Sequence, residues 1–367
     1  MKRFILPLLI FCLPFQLGLH FWPSWSYVSG FRIDYLSPTL YLTDLLILLY
    51  LLTALRHRPP YLLLFLFFAP FNILISLSPL IALSSFLHWL LYYLLFVTLL
   101  KEDNLLAKIK TPLLLSASLI IFLEIAQLLN QASIGGPFYY LGERTFNFGS
   151  PNIAKLGPLV RPYSTFSHPN SLAGYLLMVS LIIPRFRKLI YLGVLFTFSK
   201  AAVLALLFLH LPRLCKPIMI TSLLISLTPL IFNFFPVPFI PSSSLLSRLY
   251  MGPLDFKLLS QHLLLGVGLN NYILALSNVL PPSHQILSSL QPIHSVPLLI
   301  ATELGVPGII LMFYLFQKFL TLNSKFLILL AITASVDHYW WTLPQNKLIL
   351  VLILAILITE NHKNSKF

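Results

Sequence analysis

Residues able to do chemistry cluster in a few short stretches of this chain. In RPYSTFSHPN, residues 161–170, an arginine, hydroxyl residues, a histidine and an asparagine stand directly before the apolar run SLAGYLLMVSLII. Arg161 suits either of two roles. One is a lipid headgroup anchor; the other is an anion site, because a guanidinium donates paired hydrogen bonds to phosphate and a helix N-terminus adds positive potential. Pro169 fits the first turn of a helix with Ser167 or His168 near its cap. His168 and Asn170 therefore read equally as capping residues and as ligands.

A second stretch, SSSLLSRLYMGPLDFKLLSQHLLLGVGLNNY, holds Arg248. Its Leu245, Leu246, Leu249, Tyr250, Phe256, Leu259 and Leu263 predict interfacial helices with one apolar side, broken at Gly252-Pro253. Gly266 and Gly268 mark a turn. One GxG without a Walker or Rossmann context is no nucleotide site. In the third stretch, QPIHSVPLLIATELGVPG, His294 precedes a long apolar run and Glu303 lies inside it. His294 reads as a structural interface histidine or, on the side shared with Arg161 and Arg248, as an acid–base group, since imidazole titrates near neutrality.

The elements that must carry these residues follow from composition. Of the 367 residues 58% are hydrophobic and 9% charged, far below the roughly 25% charged residues of a soluble domain. Apolar runs of about 20 residues, enough to cross a ~30 Å hydrocarbon layer, recur from end to end. They are continuous rather than alternating, which excludes a β-barrel. The expected fold is an all-α polytopic membrane protein with about twelve spans: 4–21, 36–55, 60–77, 79–100, 111–130, 171–184, 188–198, 200–211, 217–235, 295–317, 326–341 and 346–360. The N-terminal MKRFILPLLIFCLPFQLGL resembles a signal peptide but lacks a small-residue cleavage site, so it reads as an uncleaved first span.

Charge sets the orientation. With a hairpin at FSKAA, 16 of the 24 basic residues fall on one side; a single span over 188–211 would bury Lys200 near its middle and scatter that bias. The positive-inside rule therefore predicts both termini in the cytoplasm, and outward segments at 131–170 and 236–294, the larger between the ninth and tenth spans. The +14 charge belongs to cytoplasmic loops, not to nucleic-acid binding. Cys12 and Cys215 form neither a metal spacing nor a disulfide framework. No internal repeat or linker is visible, so residues 1–367 read as one membrane domain.

Four blocks, RPYSTFSHPNSLAGYL, TFSKAAVLAL, SRLYMGPLDFKLLSQHLLLGVGLNNY and HSVPLLIATELGVPG, resemble in order and spacing the O-antigen ligase/O-antigen polymerase family over roughly residues 130–320. The resemblance implies about twelve helices, a large outward loop, and glycan transfer from a polyprenyl-diphosphate donor on the outer face of the cytoplasmic membrane. It places the two diphosphate-holding arginines on Arg161 and Arg248 and the acceptor-activating histidine on His294, with Lys200, His168 and Asn170 as further substrate contacts. Ser199-Lys200-Ala201 stands where the family has Ser-Arg-Gly, His294-Ser295 where it has His-Asn, and Ser164 where it has Gly. No cofactor or metal is expected. The partners implied are the lipid-linked donor, a glycan, lipid or protein acceptor, and membrane lipid. A polymerase shares this chemistry with another acceptor. A flippase for the same donor is the rival, and would call for inverted repeats and midplane polar groups.

Overall fold

The computed structural model describes residues 2–54, 62–231, 244–319 and 323–364, and the chain there is mostly helical. In chain order the helices are α1 (Lys2–Cys12), α2 (Leu42–Ala54), α3 (Leu62–Ile75), α4 (Pro79–Leu99), α5 (Leu105–Asn130), α6 (Pro169–Ile182), α7 (Arg187–Phe196), α8 (Lys200–Leu209), α9 (Cys215–Ile231), α10 (Ser244–His262), α11 (Tyr272–Val279), α12 (Val296–Phe319), α13 (Ser324–Ala334), α14 (Tyr339–Thr342) and α15 (Pro344–Asn364). The strands are β1 (Gly18–His20), β2 (Tyr27–Val28), β3 (Phe31–Arg32), β4 (Thr39–Tyr41), β5 (Lys155–Leu156) and β6 (Leu159–Val160). They form three antiparallel pairs, β1 with β4, β2 with β3 and β5 with β6.

Helix α6 is the axis of the core. It is apolar on every face, as a fully surrounded helix must be, and Leu172, Tyr175, Leu176 and Val179 are all completely buried. It packs on α5, α7, α8, α13 and α15. Four described helices are long and apolar enough to cross a membrane: Pro79–Leu99, Leu105–Asn130, Val296–Lys318 and Pro344–Asn361. The remaining apolar helices have 10–17 residues.

Several expected spans are shorter than the apolar runs that carry them. The first ends at Cys12 rather than residue 21, because Pro14 disfavours helix at Leu13; the chain then turns into β1. The second begins at Leu42 rather than residue 36, since Thr39–Tyr41 pairs with β1. The eleventh stops at Ala334, and residues 335–338 leave the helix before α14. The break expected at FSKAA is present: α7 and α8 have ten residues each, about 15 Å, and Phe198 between them has φ 52°.

The break expected at Gly252-Pro253 is absent. Helix α10 runs through Pro253, whose lost hydrogen bond is offset by packing against α9, α11 and α12. Its buried side is Gly252, Asp255 and Leu258, while Phe256 and Leu263 are exposed. The side chains of Leu245, Leu246, Arg248 and Leu249 lie outside the described residues, as do Arg56, Arg58 and Lys366 of the charge argument.

Glycines lock α12 to the chain before α11. Gly305 interrupts α12 with φ 63° and ψ −152°. Gly266, at φ 76°, lies so close that a Cβ there would stand 2.3 Å from the Glu303 carbonyl oxygen. Val267 N–H donates to the Thr302 carbonyl and Gly268 N–H to that of Glu303, at 2.9 and 3.0 Å. The kink thus fixes where Glu303 points.

Candidate functional site

A cavity of about 410 Å³ opens among the helix ends. Its wall takes residues from the chain between α1 and α2, the middle of α4, the chain between α5 and α6, the chain on either side of α11, the N-terminal part of α12, the segment from Asp337 through α14, and the start of α15. Three cations (Arg32, Arg144, Lys347), three carboxylates (Asp34, Glu303, Asp337) and five histidines (His20, His88, His168, His294, His338) line it.

RPYSTFSHPN is mainly a latch behind that wall. Ser164 has φ 51°, a left-handed conformation that costs a non-glycine residue about 1–2 kcal/mol. Glycine would take this conformation without that cost. Here Gln127 holds the turn, its Oε1 accepting from Tyr163 N and Ser164 N at 2.9 and 2.6 Å, and Ser164 Oγ donates to the Ile120 carbonyl at 2.8 Å. Thr165 Oγ1 donates to the Pro14 carbonyl at 2.6 Å. His168 is the N-cap of α6, accepting from Asn170 N at Nδ1 (3.1 Å), with Pro169 in the first turn. Its ring also borders the cavity.

Arg161 does not stand on the cavity wall among the described residues. Its Nε–H donates to the Thr197 carbonyl at 2.9 Å and its Nη2–H to Asn170 Oδ1 at 2.7 Å. Asn170 Nδ2 in turn donates to Asp337 Oδ2 at 2.8 Å, and Asp337 Oδ1 accepts from His338 N at 2.8 Å. Arg161 therefore ties the α7–α8 break to the wall through Asn170. Burial pulls its pKa below the ordinary value, opposed by Tyr163 and Asp337. Lys200 opens α8, is exposed and is not on the wall.

His294 is on the wall, just before α12, half-buried, with its ring edge-on to His338 at 5.2 Å. His338 Nδ1 is 2.8 Å from Thr342 Oγ1, and Tyr35 packs edge-on against the same ring at 5.6 Å. The Tyr35 hydroxyl is pushed well above its ordinary pKa, chiefly by burial and then by Asp337 and Asp34. It stays protonated at neutral pH as a donor. Arg144 donates from Nη1 to the Ser167 carbonyl at 3.3 Å and lies 5.0 Å over the Tyr163 ring. Arg32 lies 5.4 Å over Trp22.

The site thus brings His294, His168 and, through Asn170 and Asp337, Arg161 to one cavity. It does not bring Lys200 there, and the Arg248 side chain lies outside the described residues. Sequence reasoning missed Arg32, Arg144, Asp337, His338, Lys347 and the pair Asp44–His88. A signal existed for Asp337 and His338: SVDHYWW puts an acid and a histidine inside a run counted as a span, where ionisable residues are costly and mark function. Among the described residues no group of three His, Cys, Asp or Glu side chains is placed to hold a metal. Comparison with known proteins finds no matching family model, curated protein or solved structure.

Proposed function

We propose that this chain is a multi-pass membrane glycosyltransferase. It moves a glycan from a polyprenyl-diphosphate carrier to an acceptor hydroxyl at the outer face of the cytoplasmic membrane, in the manner of the O-antigen ligases. The observation that carries the reading is the shared cavity. Stretches of the four resembling blocks, distant in sequence, meet on or directly behind one wall that carries arginines, carboxylates and five histidines at the ends of apolar helices. That position suits a donor whose lipid tail stays in the bilayer while its diphosphate sits at headgroup level.

In this reaction the bond from the sugar C1 to the diphosphate oxygen breaks, and a bond from C1 to the acceptor oxygen forms. The diphosphate leaves with its electron pair, so fixed cations at its oxygens lower the barrier. Arg144 and Arg32 face the cavity for this role, Arg248 is assigned to it by resemblance, and Arg161 holds the wall in register from behind. The acceptor proton passes to His294, in keeping with imidazole basicity near neutral pH. Ligase and polymerase differ only in the acceptor.

One observation favours the flippase instead: α12 is broken at Gly305 and α7–α8 at residues 197–199, and discontinuous helices are a transporter device. The purified protein in nanodiscs, given a lipid-diphosphate glycan and candidate acceptors, separates the two. Covalent transfer with release of the lipid diphosphate supports the enzyme; lipid-linked glycan crossing the bilayer unchanged supports the flippase.

A further inference from the structure

One wall of the cavity takes no part in that proton and phosphate chemistry. Trp89 of α4 and Trp341 of α14 approach to 4.8 Å between ring centroids, tilted by 40°. Trp341 Nε1–H donates to Glu303 Oε2 at 2.8 Å, which fixes the indole. His88 directly precedes Trp89 in α4; its Nε2 is 3.2 Å from Asp44 Oδ2, and Asp44 also accepts from Tyr41 N at 2.9 Å. The His88 ring lines the cavity with the buried carboxylate next to it.

Among the described residues, two buried polar atoms here have no hydrogen-bond partner: Asp44 Oδ1 and the Tyr92 hydroxyl. Tyr92 is 1% exposed, borders the cavity, and lies 6.1 Å from the His88 ring and 6.5 Å from Trp89. A buried orphan polar group costs about 1–3 kcal/mol, so a ligand bearing hydroxyls recovers that energy when it binds.

We infer that Trp89, Trp341, Tyr92 and the Asp44–His88 pair form a subsite for a neutral pyranose ring. The sugar C–H face lies on an indole, and its hydroxyls bond the His88 ring, held from behind by Asp44, and accept from Tyr92. The alternatives fit less well. A diphosphate meets the Glu303 carboxylate on the wall and the Asp44 carboxylate buried just behind His88. An alkyl chain leaves both orphan atoms unsatisfied. A cationic ligand competes with Lys347, whose Nζ already lies 5.0 Å over Trp89. The two carboxylates also disfavour a uronic acid. The inference rests on the glycan-transfer reading only for what the sugar is attached to.

The test follows tryptophan emission of the full-length protein in nanodiscs against glucose, galactose, mannose, N-acetylglucosamine and glucuronate. A saturable change with at least one neutral sugar, and none with glucuronate, is expected. Tyr92→Phe removes an atom that bonds none of the described residues, so its melting temperature stays equal or rises, while affinity for that sugar falls roughly tenfold. Trp89→Phe weakens binding as well. A saturable response to none of the neutral sugars, or wild-type affinity in both variants, overturns the subsite. Sugar binding without transfer from a lipid-diphosphate donor keeps the subsite and removes the transferase. Transfer at the wild-type rate and KM in both variants keeps the transferase and removes the subsite.

Discussion

Arg161 and Asp337 are joined through a single side chain: Asn170 accepts from the guanidinium with its oxygen at 2.7 Å and donates to the carboxylate with its nitrogen at 2.8 Å. An amide is the group that can face a cation and an anion at once in this way. The relay couples the chain before α6 to the segment between α13 and α14, and the Arg161–Thr197 bond extends it to the break between α7 and α8.

Asn170→Ala cuts both links and removes one charge-assisted hydrogen bond from each of Arg161 and Asp337. The expected loss is about 2–3 kcal/mol of stability, read as a lower melting temperature in detergent. Arg161→Lys keeps the charge but lacks the planar fork that reaches the Thr197 carbonyl and Asn170 together. Transfer should fall sharply while the protein still inserts; a near-normal rate removes the relay from the proposed mechanism.

If His294 accepts the acceptor proton, His294→Ala lowers turnover by roughly 10²–10⁴ with little change in donor affinity. On that reading wild-type turnover should vary with pH. His294→Asn keeps a polar side chain, so an active Asn variant with an unchanged pH profile places the base elsewhere.

Gly266→Ala puts a methyl 2.3 Å from the Glu303 carbonyl oxygen at a backbone φ of 76°. The combined strain should exceed about 2 kcal/mol. It displaces Glu303 and with it the Trp341 indole, so a drop in melting temperature accompanied by a shift in tryptophan emission is expected. Gly30→Ala is the control: φ is 81° there, with nothing within 4 Å of the added carbon. It should show only the smaller backbone cost.

Asp255 gives a pH signature of stability. It is 3% exposed and bonded to the Tyr272 hydroxyl. Burial raises its pKa to about 7, and the Tyr272 bond opposes the rise. Between the ordinary carboxylate range near 4 and about 7 the folded protein holds a proton that the unfolded chain releases. Its contribution to stability is therefore complete below about pH 4 and is lost as pH rises through about 7. The protein should melt at a lower temperature at pH 8 than at pH 5, and Asp255→Asn should flatten that difference. An unchanged slope in the variant sets Asp255 aside.

What the amino-acid sequence determined by itself is local. Helix boundaries at Pro79 and Pro169, a cap at Ser167 or His168 and the break at residues 197–199 follow from proline chemistry, capping and the cost of placing Lys200 mid-helix, all acting within a few residues. Where apolar run and element disagree, at Leu13–Gly18 and at residues 335–338, the run extends across residues whose backbone pairs or turns elsewhere, and hydropathy is blind to that. Tertiary structure alone decided which polar groups meet. Asn170 finds Asp337 across 167 residues, and Arg161 finds the Thr197 carbonyl across 36. His88 finds Asp44 between α2 and α4, and Trp89 finds Trp341 between α4 and α14. Such pairings leave no periodicity to read, because a buried hydrogen bond depends on where two helix ends come to rest and not on the spacing along either one.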